Sequence, residues 1–197
     1  MAGRGRFIAF EGGEACGKST QAARLAQRLD AVLTREPGGT PFGELTRAVL
    51  LDASVGAVDP RAEALLMAGA RAQHVADVIA PALAAGRSVV TDRFVGSTLA
   101  YQGYGRGLPV DELRRLSAWA TGGLEPHLNV LLVVTAPLVP PLAADRLEAA
   151  GAEFHGRVAS GFLALAAADP DHWAIVDGDG TVDEVAGRVA ACVEERL

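Results

Sequence analysis

The chain has 197 residues, and half of them are hydrophobic, which suffices for one domain, residues 1–197, with a sizeable core. The net charge of −6 offers no basic surface for nucleic acid, so we expect no nucleic-acid partner. Two isolated cysteines do not suggest a disulfide framework, which favours a reducing compartment. The longest apolar stretch, residues 130–144, is too short and too interrupted by prolines to span a bilayer. We therefore expect a cytoplasmic protein without a membrane partner.

The first predicted elements enclose a glycine-rich motif. Residues 6–11 are apolar enough for a buried strand, and residues 20–29 are rich in helix formers. Between them stands Gly-Gly-Glu-Ala-Cys-Gly-Lys-Ser, residues 12–19, a Gly-x4-Gly-Lys-Ser phosphate loop in the strand–loop–helix context that such a loop requires. Lys18 is the only lysine in the chain, and it would reach the β- and γ-phosphates of a nucleotide.

The later elements alternate along the chain. Further strands are predicted at 31–34, 88–92, 129–135 and 173–177. Helices are predicted at 42–51, from 60 to about 86, and at 94–102, 109–121, 158–168 and 182–196. Residues 103–107 are predicted to be a loop, and residues 137–157 to be a mobile flap. Alternating strands and helices predict an α/β fold with a five-stranded parallel sheet and helices on both faces.

Polar side chains follow several of these strands, at the edge where parallel sheets bind ligands. Asp92 ends the third strand and would hold Mg²⁺, directly or through water, opposite the Ser19 hydroxyl; an N-cap role for Asp92 is the alternative. Arg35 and Arg93 follow the second and third strands, and their planar guanidinium groups suit a second phosphate.

Two predicted helices would face the same cleft. Met67, Arg71 and His74 share a helix face by their spacing. Ser97, Thr98, Tyr101 and Gln102 lie along one side of the next helix. This mixture of hydroxyls, an amide, a ring and a guanidinium suits a base and a sugar, although a purely structural role fits His74 equally well.

Three segments carry a family resemblance. They are Thr-Arg-Glu-Pro-Gly-Gly-Thr at 34–40, Arg-Ala-Gln-His at 71–74, and Asp-Arg-Phe-Val-Gly-Ser-Thr-Leu-Ala-Tyr-Gln-Gly at 92–103. Together they resemble the bacterial type of thymidylate kinase over nearly the whole chain. The resemblance implies a P-loop nucleotide kinase fold with a short mobile lid at about 137–157, and a homodimer.

The resemblance also implies a reaction, the Mg²⁺-dependent transfer of the ATP γ-phosphoryl group to dTMP in dTTP synthesis. The implied ATP-binding residues are Gly12, Gly13, Glu14, Ala15, Cys16, Gly17, Lys18, Ser19 and Thr20. The implied substrate-binding residues are Arg35, Pro37, Met67, Arg71, Arg93, Ser97, Thr98, Tyr101 and Gln102. The implied catalytic residues are Lys18, Arg93, Arg146 and Glu14, and the implied metal residues are Ser19 and Asp92.

The chain departs from the family pattern in two ways. Met67 replaces the usual phenylalanine that stacks on thymine, and the predicted lid lacks the arginines that usually precede Asp145 and Arg146. Because Ala15 stands where some relatives have arginine, Arg146 is the expected catalytic arginine, with Arg157 the weaker candidate. Another nucleoside or nucleotide kinase and a catalytically weak binding module remain alternatives. A GTP switch is disfavoured because its Asn-Lys-x-Asp segment is missing.

Overall fold

A computed structural model describes residues 5–136 and 150–197. Most of the predicted lid, including Arg146, lies outside the described residues. The strands are β1 (Phe7–Gly12), β2 (Val32–Arg35), β3 (Val89–Asp92), β4 (Leu128–Val133) and β5 (Trp173–Asp177). The helices are α1 (Lys18–Leu29), α2 (Pro41–Leu51), α3 (Pro60–His74), α4 (Ala80–Ala84), α5 (Val95–Thr98), α6 (Val110–Thr121), α7 (Ala152–Ala168) and α8 (Val182–Arg196), with a 3₁₀ turn at Ala53–Val55 and π-helical turns at Val75–Ile79 and Leu99–Gly105.

The strands form one five-stranded parallel sheet, as predicted, and the structure shows their order to be β2-β3-β1-β4-β5. Strand β1 lies at its centre, and each of its six residues is buried. Phe10 is paired with Asp92 of β3 and with Val130 of β4. The phosphate loop and the residues that end β2 and β3 therefore meet at one edge of the sheet.

Helices cover both faces of the sheet. On one face α1 and α8 pack over alternate strand residues such as Ile8, Phe10 and Val130. On the other face the strands contribute Leu131 and Trp173 to a core with α7 and the Leu99–Gly105 turn. Such double coverage explains why the central strands are almost wholly apolar.

Local signals place several helix boundaries. The Asp59 side chain accepts a hydrogen bond from the Arg61 backbone and Pro60 follows it, so α3 begins at the predicted proline. Helix α8 begins with a capping box between Thr181 and Glu184. Among the described residues, no helix is long and apolar enough to cross a bilayer.

Two boundary predictions were wrong. Residues 103–105 continue the helix as a π-helical turn instead of forming a loop, and α7 begins at Ala152 instead of residue 158. These two segments pack closely on each other, since a Cβ on Gly105 would lie 2.5 Å from the Phe154 ring and one on Gly161 would lie 2.6 Å from the Tyr104 ring. These glycines permit close helix contact, and the last part of the predicted flap is a packed helix.

Candidate active site

The phosphate loop turns around residues with left-handed backbone. Gly17 has a φ of 89° at the start of α1, and Ala15 has a φ of 51°. The Lys18 ammonium donates to the Gly13 carbonyl and lies 3.5 Å from the Cys16 sulfur. Burial lowers the pKa of Lys18, and the nearby Arg93 charge lowers it further. An anionic phosphate in this loop would relieve both effects.

Ser19 and Asp92 lie together at the end of the loop. The Ser19 hydroxyl donates to Oδ2 of Asp92. The other carboxylate oxygen, Oδ1, is buried and has no hydrogen-bond partner within the described chain. A buried carboxylate oxygen without a partner is costly unless a cation or water satisfies it. One hydroxyl and one carboxylate next to the phosphate loop fit Mg²⁺.

Arg93 connects the phosphate loop to the helix that follows β3. Its guanidinium donates to the Gly12 carbonyl at 3.0 Å, to the Ser97 hydroxyl at 3.1 Å and to Glu14 at 2.7 Å. Its φ of 74° is left-handed, which is unusual for a residue with a side chain. Burial lowers the pKa of a guanidinium, but the electrostatic interactions of Arg93 with Tyr101 and Glu14 outweigh burial and raise its pKa. Arg93 is therefore a permanent cation.

Glu14 and Tyr101 complete this cluster. The Tyr101 hydroxyl donates to Glu14 Oε1 at 2.7 Å and accepts from Arg93 at 3.2 Å. Burial raises the pKa of Glu14, but the Arg93 and Lys18 charges outweigh it, so the pKa of this carboxyl is lowered. Glu14 is therefore a fixed anion between the phosphate loop and the helical wall of the cleft.

The buried carboxylate of Glu11 supports the same helix. It accepts hydrogen bonds from the Phe94 backbone at 3.0 Å and from the Ser97 hydroxyl at 2.5 Å. Burial raises the pKa of Glu11. Glu11 thus positions Ser97 and the start of α5 instead of facing a ligand directly.

Arg71 is held by three groups. Its Nε donates to Glu36 at 2.6 Å, and one Nη atom donates to the Phe94 carbonyl and the Thr98 hydroxyl, both at 3.0 Å. The other atom, Nη1, is buried without a partner among the described residues. Arg71 lines the cleft, so Nη1 is a buried donor on a side chain of the cleft wall.

His74 has a structural position. Its Nδ1 lies 2.9 Å from Glu36 Oε1, and its Nε2 lies 2.6 Å from the Thr34 hydroxyl. A carboxylate only accepts hydrogen bonds, so Nδ1 donates to Glu36. Both ring nitrogens are satisfied, and the side chain is fully buried, which agrees with the structural alternative for this residue.

A cleft opens beside this cluster. Its lining contains the predicted residues Glu14, Pro37, Met67, Arg71, Arg93, Ser97, Thr98, Tyr101 and Gln102, and also Glu36, Arg47, Leu51 and Phe94. A cleft of this mixed polarity suits a small organic ligand. All of the predicted base- and sugar-binding side chains are thus together.

A second cavity follows the phosphate loop. It is lined by residues 14–20 and by Arg35, Glu36, Arg47, Asp92 and Arg93. Arg35 lies here and not in the first cleft, and its exposed guanidinium is paired with Glu44 at 3.0 Å. Glu14, Arg47 and Arg93 border both cavities, so a phosphate bound by the loop and a ligand in the first cleft would meet at these side chains.

Sequence reasoning missed the roles of Arg47, Glu36 and Glu63. Arg47 donates to the Pro37 carbonyl at 3.2 Å and lines both cavities. It lies on α2, a helix for which the sequence predicted no functional residue. Its position two turns after the Pro-Gly-Gly loop could have indicated that it lies near the cleft. Glu36 and Glu63 act through partners distant in sequence, so no local pattern revealed them.

Comparison with known proteins places the chain in a family. The thymidylate kinase family model matches residues 10–189. A thymidylate kinase of Synechococcus sp. strain JA-2-3B'a(2-13) is 50% identical over 198 residues, covering 97% of this chain and 95% of the relative. The thymidylate kinase of Geobacter sulfurreducens is 46% identical, covering 98% of each chain.

A solved structure agrees with this comparison. The crystal structure of thymidylate kinase from Ehrlichia chaffeensis superposes with a TM-score of 0.82 at 29% identity, covering 96% of this chain and 98% of that one. The family match, the relatives and the shared architecture lead to one conclusion: the chain belongs to the thymidylate kinase family.

Proposed function

We propose that this protein transfers the γ-phosphoryl group of ATP to dTMP and releases dTDP and ADP. The observation that carries the proposal is the junction of two cavities at Glu14 and Arg93, one around the phosphate loop and one lined by the predicted base- and sugar-binding side chains. Family membership supports the same reaction.

The thymine would lie against Arg71, Thr98 and Gln102. The unpartnered Nη1 of Arg71 supplies a charged donor for a carbonyl oxygen of the base. Met67 lines the same cleft and would pack its thioether on the ring face in place of a stacking aromatic side chain.

The sugar would lie near Tyr101 and Glu14. The Tyr101 hydroxyl is held by Glu14 and Arg93, so its ring has a fixed place in the cleft wall. That ring would crowd a 2′-hydroxyl and favour deoxyribose. Glu14, an anion with acceptor capacity, would accept a hydrogen bond from the 3′-hydroxyl.

Charge and position account for the chemical step. The attacking phosphate of dTMP is already anionic near neutral pH, so no general base is needed. Arg35 and Arg93 would bind that phosphate, and Lys18 would bind the phosphates of ATP, so that the two phosphates approach each other in a site with little water. Arg47 borders both cavities and would add positive charge at the same place.

Mg²⁺ would be held by Ser19 and Asp92. The observation that supports this site is the buried Oδ1 of Asp92, which has no partner within residues 5–136 and 150–197. When bound, the ion supplies neutralising positive charge to the phosphate oxygens of ATP.

Arg146, which is not among the described residues, is the proposed arginine that covers the transferring phosphoryl group. Arg157, the weaker candidate, donates to the Gly105 carbonyl at 2.9 Å and pairs with Glu153 at 2.6 Å, so it already has partners. In Arg146→Ala, turnover should fall far more than dTMP affinity. Unchanged turnover in that variant would remove Arg146 from the mechanism.

We also propose a homodimer. Helix α2 packs on α3 and α3 packs on α6, and these adjacent helices expose large apolar side chains. Trp119 is 84% exposed and Leu45 is 71% exposed, with Phe42 and Leu65 also more than half exposed. A second copy of the chain would cover this apolar surface.

Two unpaired thiols, Cys16 and Cys192, suit the reducing cytoplasm in which we place the protein.

A substrate panel tests the function. ADP release is measured with ATP, Mg²⁺ and each of dTMP, dUMP, dCMP, dGMP, dAMP and UMP. The control is Lys18→Met purified in the same way, which should show no turnover and so reports contaminating kinases. Preference for dTMP supports the proposal, preference for another nucleotide identifies a different kinase, and ATP binding without turnover identifies a binding module.

A further inference from the structure

A buried glutamate outside the cleft holds one of the base-reading side chains. Glu63 of α3 is fully buried. Its Oε1 accepts a hydrogen bond from the side-chain amide of Gln102 at 2.8 Å, and its Oε2 accepts from Arg106 at 3.3 Å. Arg106 compensates the buried negative charge and is itself held over the Phe154 ring, 4.6 Å from its centroid.

This contact determines which way the Gln102 amide points. A carboxylate accepts hydrogen bonds and does not donate them, so the NH₂ group of Gln102 must face Glu63. The carbonyl oxygen Oε1 then faces away from Glu63 and has no hydrogen-bond partner within the described part of the chain. Gln102 lines the cleft, so it presents an acceptor there.

The Arg71 guanidinium, on a side chain that lines the same cleft, has the opposite hydrogen-bonding character. Its Nη1, which has no partner in the part of the chain that the structure describes, is a donor, and Glu36 holds the guanidinium in place. The cleft therefore presents one acceptor and one donor. Thymine and uracil have a ring N3–H donor next to the O4 acceptor, which match this pair. Cytosine has an N3 acceptor and a 4-amino donor, which oppose it at both atoms.

We infer that Glu63 is a positioning residue that determines base specificity by fixing the Gln102 carbonyl toward the cleft. This inference rests on the proposed function. In Glu63→Gln, the residue at 63 can either accept or donate, so the Gln102 amide can turn and present its NH₂ group to cytosine N3. Discrimination between dTMP and dCMP should then fall.

The test compares kcat/KM for dTMP and dCMP in the wild-type protein and in Glu63→Gln. We expect the ratio to fall about ten- to a hundredfold. In the wild type the Gln102 carbonyl opposes cytosine N3, whereas in the variant the Gln102 amide can turn and donate to it. The change should be in KM, with kcat at saturating dTMP changed less than about threefold, since Glu63 is remote from the phosphates. Glu195→Gln, an exposed position on α8, is the matched control and should leave the ratio unchanged.

A double-mutant cycle shows whether Glu63 acts through Gln102. Gln102→Leu should lower the ratio by itself, and Glu63→Gln should add nothing in that background. Glu63→Asp keeps the buried negative charge but, with one methylene fewer, draws the carboxylate away from Gln102. It should lower the ratio too and serves if Glu63→Gln does not fold. Either of two results would overturn the inference: an unchanged ratio in a folded variant, or a full effect of Glu63→Gln in the Gln102→Leu background. In both cases, dTMP turnover by the wild type would still support the proposed function. A wild type that does not use dTMP would instead defeat the proposed function.

Discussion

The sharpest single test of the proposed site is Arg71→Lys. Its guanidinium is buried and makes three hydrogen bonds to Glu36, Phe94 and Thr98, leaving Nη1 for the base. Lysine keeps the charge but has one nitrogen in place of three, so it cannot hold Glu36 and also reach the base. A hydrogen bond to a charged group contributes about 1.5–3 kcal/mol, so kcat/KM for dTMP should fall about 10- to 150-fold.

The loss should be in KM more than in kcat, because Arg71 faces the base and not the transferring phosphate. Steady-state rates at saturating ATP, with dTMP varied, measure both. The matched control is Arg87→Lys, an exposed position just before β3, which should behave like the wild type. Thermal unfolding should also shift downward by several degrees, since roughly 1–3 kcal/mol of buried hydrogen bonding is lost.

A substrate analogue makes the test specific. A dTMP analogue that lacks the O4 atom should be a poorer substrate than dTMP for the wild type. In Arg71→Lys this preference should disappear, because the donor that recognises O4 is gone. A folded variant that keeps both its KM for dTMP and its preference for O4 would refute the assignment of Arg71 to the base.

Three further predictions concern sugar selection, pH dependence and assembly. Tyr101→Phe removes a hydroxyl that is hydrogen-bonded to Glu14 and Arg93, so turnover should fall about three- to tenfold. The preference for dUMP over UMP should persist because the ring remains, and its loss would contradict the role of the ring. Burial raises the pKa of Glu11 above its ordinary value of 4.5, so its contribution to the free energy of unfolding decreases as pH rises from about 4.5 through that raised pKa. In Glu11→Gln, denaturant titrations across this window should show a flatter dependence on pH, and an unchanged slope would count against it. Leu45→Glu combined with Trp119→Glu should convert a dimer into a monomer in sedimentation velocity; a wild type that already sediments as a monomer would disprove the proposed dimer.

Much of the fold followed from the sequence because its signals are local. Asp59 and Pro60 begin α3 by capping, and the alternation of apolar strands with helices predicts a parallel sheet covered on both faces. The wrong boundaries, at residues 103–105 and at Ala152, lie in segments that pack on each other. Gly103 and Gly105 favour a loop locally, but in the fold Gly105 lies against the Phe154 ring of α7, and packing outweighs propensity.

The candidate site was predicted unevenly for a similar reason. Residues next to strand ends, such as Arg93 and Asp92, were found because the edge of a parallel sheet collects ligands. His74 kept two interpretations until the structure showed both ring nitrogens bonded. Arg47 and Glu63 were missed, since nothing near them in sequence indicates what they contact.

By itself, the sequence determined the phosphate loop at residues 12–19, the order of strands and helices, and the family resemblance, because each depends on residues adjacent in the chain. Only the tertiary structure decided which polar atoms are satisfied and which remain for a ligand. Glu36 and Arg71 are 35 residues apart, and Glu63 and Gln102 are 39 apart, so their pairing exists only after the helices pack. Because a buried polar group without a partner is costly, the atoms of Arg71 and Asp92 that have no partner among the described residues give the candidate site a polarity that the motif alone does not.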